Sequence, residues 1–178
     1  SEGAPREFPC IIKKRFGSGG RDVALVNEEL APHYQRGRAD DIWQEYLRPD
    51  DQEYTCGVFR SRSGETRSVV FRRTLLEGVT SKGQVVSDPE IESLLRKMAD
   101  RLNLRGCINV QLRLTERGPV VFEINPRLSS TLVFRHLLGF SDLLWMIADD
   151  QGMPVPPYTP PTTGTRFYRT SHEVFVSP

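Results

Sequence analysis

The residue types best suited to chemistry lie in one predicted β-hairpin, residues 106–128, where polar and apolar side chains alternate. If the hairpin turns through a three-residue loop at 116–118, with its glycine in the left-handed conformation, Gln111 lies opposite Glu123. Asn125 shares their face, because side chains two residues apart on a strand point the same way. Opposed Cβ atoms lie about 4.5–5.5 Å apart, so the three side chains can converge on one ion. Carboxylate and amide oxygens suit Mg²⁺, which also binds phosphate oxygens and water.

On the other face of this hairpin the same register opposes only apolar residues: Val110 with Ile124, Leu112 with Phe122, and Leu114 with Val120. We expect that face to pack on the core. Alternation alone is also typical of a surface sheet with an ordinary polar face. The residues that follow favour chemistry, because Pro126 removes a ladder donor and Arg127 is well placed to bind phosphate.

A glycine-rich segment, Gly17-Ser18-Gly19-Gly20, follows the first predicted strand and can bind phosphate through its backbone amides. It does not match the P-loop pattern, which needs a following Lys-Ser or Lys-Thr. It does not match G-x-G-x-x-G either, since Asp22 stands in place of the third glycine. An ordinary hairpin turn is therefore the alternative. Lys13, on the strand that enters the segment, is placed to contact phosphate oxygens as a point charge.

Arg72 and Arg73 are neighbours on another predicted strand, so their side chains point to opposite faces of the sheet. One of the two can bind an anionic substrate. The alternative is an ordinary solvated strand face, on which neither arginine has a ligand.

Apolar spacing and turn residues predict the elements that position these side chains. Besides the hairpin, strands are predicted over 9–14, 21–26, 42–47, 52–62, 66–76 and 165–176. Helices are predicted over 27–35, 131–138 and 141–151, and a longer amphipathic helix begins at Pro89 and ends before Arg105. From these elements alone, both α/β and α+β folds remain open.

Composition excludes several classes of protein. The chain has 178 residues, which suggests about one domain, and its net charge is +1, from 24 basic and 23 acidic residues. Such a balance argues against a nucleic-acid binder, and no apolar run approaches the roughly 18 residues of a membrane span. The three cysteines, Cys10, Cys56 and Cys107, have no C-x-x-C spacing, so thiols in a reducing cytoplasm are expected rather than a zinc site or disulfides. We therefore predict a cytoplasmic protein.

Three motifs stand in order along the chain: the strand and glycine segment over 11–20, Gln44-Glu45-Tyr46-Leu47 with Glu53, and Gln111 with Glu123-Ile124-Asn125-Pro126-Arg127. Together they resemble the ATP-grasp superfamily, particularly its carbamoyl-phosphate synthase large-chain-like members. The resemblance covers residues 9 to about 152. It implies an α+β ATP-grasp fold of antiparallel sheets with flanking helices, in which two lobes clamp Mg-ATP.

The resemblance also implies a domain organisation. Residues 1–152 are expected to form the ATP-grasp core, with a small lobe over about 9–47 and a C-terminal lobe over about 48–152. Residues 153–178 are expected to form a proline-rich connector and a final strand. Relatives carry a further N-terminal region, so the chain is expected to be a truncated core that works with a missing N-terminal domain or a partner chain.

Each motif carries the family's roles to particular residues. Those implied to contact the ATP phosphates are Lys13 and the loop residues Gly17, Ser18, Gly19 and Gly20. Those implied to contact the nucleoside are the hinge residues Glu45, Tyr46 and Leu47, together with Glu53 near the ribose. The implied Mg²⁺ ligands are Gln111, Glu123 and Asn125, and the implied catalytic residue is Arg127, which stabilises the transferred phosphoryl group. Lys14 stands where many relatives have proline, so the choice between Lys13 and Lys14 stays open.

The function implied is that of an ATP-dependent ligase that activates a carboxylate as an acyl phosphate, which an amine or another nucleophile then attacks. ATP and Mg²⁺ are the expected cofactors, with Mn²⁺ as an alternative metal. Small-molecule carboxylate and nucleophile substrates are the expected partners, with no nucleic acid and no membrane. The alternative is a non-catalytic nucleotide-binding or assembly module with the same fold, inactive without a missing N-terminal domain.

Overall fold

The computed structural model describes residues 7–16, 22–38, 40–170 and 174–176. These described residues form ten strands and four helices, and the chain divides into two units, 1–48 and 49–178. The strands pair antiparallel, with the helices between some of them along the chain, so the fold is α+β, as predicted. The predicted phosphate loop, Gly17-Ser18-Gly19-Gly20, lies outside the described residues. Among the described helices, none has the length and apolar character needed to span a membrane.

The first unit is a three-stranded antiparallel sheet with one short helix. Its elements are β1 (Cys10–Lys13), β2 (Ala24–Val26), α1 (Ala31–Gly37) and β3 (Ile42–Glu45), and the strand order is β2-β1-β3. Cys10 and Ile12 are buried and pack with Trp43, so alternation places Lys13 on the opposite face of β1. The helix predicted over 27–35 begins four residues later, because Asn27 forms a turn in which its Oδ1 accepts a hydrogen bond from the Leu30 amide.

The second unit contains a seven-stranded antiparallel sheet. Its strands are β4 (Glu53–Arg60), β5 (Thr66–Leu76), β6 (Val79–Val86), β7 (Gly106–Thr115), β8 (Gly118–Asn125), β9 (Arg166–Tyr168) and β10 (Val174–Val176). Its helices are α2 (Pro89–Arg101), α3 (Leu132–Leu137) and α4 (Asp142–Asp150). The strand order is β10-β9-β6-β5-β4-β7-β8. Strands β4 and β7, which carry Glu53 and Gln111, therefore lie inside the sheet, and β8, which carries Glu123 and Asn125, is an edge strand.

One face of this sheet is covered by α2. The helix begins as predicted, because the Asp88 carboxylate accepts hydrogen bonds from the Glu90 and Ile91 amides and Pro89 occupies the first turn. Its apolar stripe packs on alternate residues of the central strands, which are Tyr54, Cys56, Val58, Val70, Ile108, Val110 and Leu112. The opposite side chains of the same strands therefore belong to the other face of the sheet.

The other face is covered over only part of its length, by α3 and α4. The aromatic cluster at that contact contains Phe59, Phe71, Phe134, Phe140, Trp145 and Phe167, all buried. A buried ion pair lies beside it, between the Arg135 guanidinium and the Asp142 carboxylate at 3.2 Å. Arg135 also donates a hydrogen bond to the Asn109 side chain on β7, and this contact ties α3 to the sheet.

The structure differs from the sequence predictions at β6 and at the end of the chain. Strand β6 was not predicted, because its residues, Val-Thr-Ser-Lys-Gly-Gln-Val-Val, are largely polar and show no regular alternation. It follows β5 through a two-residue turn at Glu77 and Gly78, both with positive φ, which is the geometry of a tight hairpin. Where one strand was predicted over 165–176, the chain forms β9 and β10, which pair with each other.

Gly57 marks a close approach between β4 and the buried Arg135. An added Cβ at Gly57 would lie 2.8 Å from a Phe140 ring carbon and 2.9 Å from the Arg135 guanidinium carbon. We predict that Gly57→Ala lowers the free energy of unfolding by about 1–3 kcal/mol, because neither fully buried neighbour can move aside freely. Urea unfolding followed by circular dichroism measures the change. Gly37→Ala, where no atom lies within 4 Å, is the control and should change it by about 1 kcal/mol at most. Equal effects of the two substitutions would contradict this packing argument.

Candidate functional site

The Glu53 carboxylate is held between two arginines on the sheet face that also packs against α3 and α4. Arg73 Nη2 and Nε donate hydrogen bonds to Glu53 Oε1 at 2.8 and 3.1 Å, and Arg113 Nη2 donates to Oε2 at 3.1 Å. The Glu53 side chain is only 15% exposed and that of Arg73 only 6% exposed, so the pair is largely removed from solvent. Hydrogen bonds to charged partners in such surroundings fix the carboxylate in one orientation.

Gln111 joins this group from the neighbouring strand. It lies opposite Thr55 on β4, and its Oε1 accepts a further hydrogen bond from Arg73 Nη2, at 2.8 Å. One guanidinium therefore connects Glu53 on β4 with Gln111 on β7, while its own backbone lies on β5. Three strands are linked by a single side chain, and the side-chain orientations at the site depend on that link.

The hairpin of β7 and β8 brings the predicted metal ligands together. Gln111 lies directly opposite Glu123, and Asn109 lies opposite Asn125, as the predicted register requires. Asn125 Nδ2 donates a hydrogen bond to Glu123 Oε1 at 2.6 Å, so the two side chains are in direct contact. The three predicted ligands therefore occupy one face of two adjacent strands.

The predicted register was wrong nearer the turn. The pairing shifts by one residue between Gln111 and Leu112, which lies opposite Val121 instead of Phe122. Thr115 pairs with Gly118, so the loop has two residues instead of three. Phe122 is the extra residue of the resulting bulge. The apolar face is also less buried than expected, because β8 is an edge strand and Ile124 is 44% exposed.

The donor set fits a hard cation that also binds phosphate. It offers one carboxylate, on Glu123, and the amide oxygens of Gln111 and Asn125; an amide oxygen has two lone pairs, so the bond from Arg73 leaves one free on Gln111. Within the described ranges, no group of three or more His, Cys, Asp or Glu side chains forms a metal site. A single carboxylate suits Mg²⁺, which keeps waters and substrate phosphates as its remaining ligands.

Arg127 lies just beyond the end of β8, after Pro126. Its side chain is exposed, and its Nη1 donates a hydrogen bond to the Leu128 carbonyl at 3.1 Å. Arg127 therefore follows the predicted ligands Glu123 and Asn125 in sequence, beyond the last residue of β8.

In the first unit, the two candidate lysines occupy different environments. Lys13 is the last residue of β1, half-buried and opposite Ile42 of β3. Lys14 lies beyond the strand, and its ammonium group forms an exposed ion pair with Asp22 at 2.8 Å.

The predicted hinge begins at the end of β3. Glu45 is the last residue of that strand, Leu47 is buried, and the Arg48 guanidinium stacks 5.2 Å from the centre of the Tyr46 ring. The segment ends at the boundary between the two units, which lies after Arg48.

Sequence reasoning missed the buried polar network next to the hairpin. The Asn109 side chain accepts hydrogen bonds from Thr55 Oγ1, at 3.0 Å, and from Arg135, whose guanidinium is also paired with Asp142. Burial lowers the pKa of Arg135 and raises the pKa of Asp142, and the attraction between the two opposes both shifts. The sequence does contain a signal of this network. Arg135 lies three residues from Leu132 and three from Leu138, and at this spacing along a helix an apolar residue is expected.

The cysteines near the site are not suited to nucleophilic chemistry. Burial raises the pKa of Cys56 to about 12 and that of Cys107 to about 11. Because the thiolate is the nucleophile, both side chains are unreactive at neutral pH.

Comparison with protein families identifies one matching model. The model ATPgrasp_Ter, described as ATP-grasp in the biosynthetic pathway with Ter operon, matches residues 39–172. The matched segment includes the second unit's predicted site residues but not Lys13 or the glycine segment.

Solved structures show the same fold. N5-carboxyaminoimidazole ribonucleotide synthetase from Thermus thermophilus is similar with a TM-score of 0.71 and 18% identity, over 91% of this chain and 46% of that one. The Staphylococcus aureus N5-carboxyaminoimidazole synthetase complexed with ADP gives 0.72 and 18%, over 92% and 46%. The biotin carboxylase domain of Hydrogenobacter thermophilus 2-oxoglutarate carboxylase, in complex with MgADP, ADP and bicarbonate, gives 0.73 and 17%, over 92% and 41%. The chain thus spans less than half the length of these proteins.

The hydrogen bonds of Arg73 to Glu53 and Gln111 lead to a prediction about the free energy of unfolding. We expect Arg73→Leu to lower the free energy of unfolding by about 2–3 kcal/mol, because it leaves the largely buried Glu53 with a single arginine. Arg62→Leu is the matched control: it breaks an exposed ion pair with Asp150 and should change the free energy by about 0.5 kcal/mol or less. Urea unfolding of both variants measures the difference. If Arg73→Leu costs no more than Arg62→Leu, the guanidinium does not organise the site.

Proposed function

Because this chain belongs to the ATP-grasp family whose model matches residues 39–172, we propose that it binds Mg-ATP and forms the catalytic core of an ATP-dependent ligase that activates a carboxylate. The observation that carries the proposal is the register of β7 and β8, which places Gln111 opposite Glu123 and in contact with the group around Glu53. In the proposed reaction a carboxylate oxygen attacks the γ-phosphorus of ATP and ADP leaves. A nucleophile then attacks the acyl carbon, and phosphate leaves.

In this proposal Gln111, Glu123 and Asn125 hold the metal ion. Bound Mg²⁺ neutralises charge on the phosphates and orients them for in-line transfer. The contact between Asn125 and Glu123 positions the carboxylate before a ligand arrives, because the Asn125 amide donates to one of its oxygens and leaves the other available. Arg127, beyond the end of β8, is proposed to stabilise charge on the transferring phosphoryl group.

Glu53 is proposed to accept a hydrogen bond from a ribose hydroxyl. Support for this role comes from Arg73, which donates two hydrogen bonds to Oε1, and Arg113, which donates one to Oε2 and leaves that oxygen a further lone pair. A carboxylate fixed from two sides binds a hydroxyl with little loss of side-chain entropy.

The first unit is proposed to contribute contacts to the nucleotide. Lys13, which ends β1 on the face away from that unit's core, is proposed to contact phosphate, with Gly17, Ser18, Gly19 and Gly20 following it in sequence. Glu45, the last residue of β3, and the following residues Tyr46 and Leu47 are proposed to contact the adenine through backbone groups.

The subtype and the substrates are separate proposals. The carbamoyl-phosphate synthase-like subtype remains a prediction from the motifs. The similar structures named above carry other enzyme names, and this chain spans less than half of each of them. A non-catalytic nucleotide-binding module with the same fold is the alternative, and it predicts ATP binding without ATP hydrolysis. We favour catalysis, because the hairpin places the predicted metal ligands Gln111, Glu123 and Asn125 on one face of two paired strands.

The metal-binding role of Glu123 can be tested by calorimetric titration with ATP in the presence and absence of Mg²⁺. We expect Glu123→Ala to lower Mg²⁺-dependent ATP affinity at least about tenfold, because it removes the carboxylate of the ligand set. Glu116→Ala, at the exposed turn of the same hairpin, is the matched control and should leave the affinity unchanged. Equal Mg²⁺-dependent binding by both variants would rule out the hairpin as the metal site.

The choice between the two lysines can be tested in the same titration. Lys13→Ala is expected to weaken ATP binding about tenfold or more, since it removes a point charge from the phosphates. Lys14→Ala should weaken it less than about threefold, because Lys14 pairs with Asp22 at an exposed position. The reverse order of effects would assign the phosphate contact to Lys14.

A further inference from the structure

Arg169, which follows β9 directly, connects distant parts of the second unit. Its backbone amide donates a hydrogen bond to the Ser81 carbonyl at 2.6 Å, and its Nε donates to the Thr80 carbonyl at 2.9 Å, both on β6. Its Nη2 donates to the Ser130 carbonyl at 2.6 Å, in the loop between β8 and α3. The Arg169 guanidinium therefore bridges β6 and a loop that is far from β6 in the sequence.

The same guanidinium lies over an aromatic ring. It is 4.9 Å from the centre of the Phe134 ring on α3, and Phe134 belongs to the aromatic cluster on the sheet face that α3 and α4 cover. The attraction between a guanidinium and an aromatic ring adds to the hydrogen bonds that hold the side chain. The Arg169 side chain is therefore on the face of the sheet that also carries Glu53 and Gln111.

The loop that Arg169 holds begins with the residue proposed to act on the phosphoryl group. Arg127 is exposed, lies beyond the end of β8 and precedes Ser130 by three residues. Within the loop, the Ser129 and Thr131 hydroxyl groups share a hydrogen bond of 2.6 Å, and Ser129 Oγ accepts a bond from the Thr131 amide at 3.1 Å. These bonds are local, whereas the bond from Arg169 joins the loop to the sheet.

Thr80 connects Arg169 with the polar group around Glu53. Thr80 is fully buried, and its Oγ1 lies 3.5 Å from Nη1 of Arg73. The Arg73 guanidinium in turn holds Glu53 and Gln111. Two guanidinium groups thus meet at one residue of β6, so the position of the loop depends on the same strand pairing as the position of Glu53.

We propose that Arg169 is a positioning residue for Arg127 and that β9 thereby helps to build the site. The inference rests on the proposed function, because it requires Arg127 to act on the transferring phosphoryl group. Binding of phosphate by an exposed arginine orders both its side chain and its loop, and that ordering costs less when the loop is already held at Ser130. In this role Arg169 acts through the loop and makes no contact with the nucleotide.

The first measurement is amide hydrogen exchange of the nucleotide-free chain, which examines the loop without a ligand. The amides of Thr131 and Leu132 both donate to Ser129, so their exchange reports on opening of the loop. We expect Arg169→Gln to increase their exchange rates at least about fivefold, because local opening costs less once the loop is released from β6.

The matched control is Arg67→Gln. Arg67 also lies over an aromatic ring, 4.6 Å from the centre of the Trp145 ring, and also donates to a backbone carbonyl, that of Pro156 at 2.6 Å. It makes no printed contact with the loop of Arg127, so the exchange rates of Thr131 and Leu132 should stay within about twofold of wild type. Thermal unfolding of each variant reports whether it folds.

The second measurement is a double-mutant cycle between Arg169 and Arg127, followed by calorimetric titration with Mg-ATP. We expect Arg169→Gln to weaken binding about fivefold in the wild-type chain but less than about twofold in the Arg127→Ala chain, because Arg169 has nothing to position once Arg127 is removed. Arg169→Lys is the second variant: it keeps the charge but loses the planar fork that reaches both carbonyls, and it should show the same dependence on Arg127.

The outcomes separate this inference from the proposed function. Absence of Mg-ATP binding by the wild-type chain would overturn the proposed function and the role of Arg169 with it. Mg-ATP binding by the wild-type chain together with unchanged exchange in Arg169→Gln would overturn the role of Arg169 alone. Equal losses of affinity with and without Arg127 would do the same, because they would show that Arg169 acts independently of it.

Discussion

The guanidinium of Arg73 holds the site together, because it joins a carboxylate on one strand to an amide on another while its backbone lies on a third. A charged side chain that is 6% exposed persists only when its hydrogen bonds are satisfied, and here Glu53 and Gln111 supply them. The strand pairing β5-β4-β7 must therefore be correct before the site can form. Long-range sheet pairing and local chemistry are coupled through this one contact.

The packing of α2 on one face of the sheet and of α3 and α4 on the other explains the position of the polar group Glu53, Arg73 and Gln111. Helices α3 and α4 place their aromatic residues over the part of the sheet around Phe59 and Phe71, and Glu53, Arg73 and Gln111 lie further along the same face. The border between aromatic and polar regions is formed by Asn109, which the buried Arg135 and Thr55 hold in place. A buried ion pair such as Arg135 with Asp142 contributes little net stability but fixes a geometry, because any other arrangement leaves a charge unpaired.

The predictability of each feature from the sequence depends on the range of the interactions that determine it. Helix α2 was predictable because its cap, its first-turn proline and its apolar spacing are all local. The pairing of Gln111 with Glu123 was predictable because alternation fixes which residues share a face, whereas the bulge at Phe122 leaves no mark in the pattern. The pairing of Arg73 with Glu53 depends on the order of strands in the sheet. Strand β6 was missed because its pairing with β5 and β9 outweighs its polar composition. The alternation of side chains along a strand predicted that Arg72 and Arg73 lie on opposite faces of the sheet, and in the structure the two side chains have different surroundings.

The most direct test of the central claim, that the β7–β8 hairpin binds the metal of a metal–ATP complex, is paramagnetic relaxation of the ¹⁵N-labelled chain with substoichiometric Mn²⁺ in place of Mg²⁺ and saturating ATP. Residues 111 and 123 lie opposite each other in the hairpin, and the two-residue turn at 116 and 117 lies about 17 Å further along it. The account predicts the largest relaxation enhancements at the amides of 109–113 and 123–127, a steep fall toward the turn, and loss of the pattern in Glu123→Ala. Enhancements that are uniform along the hairpin, or strongest elsewhere in the chain, would contradict it.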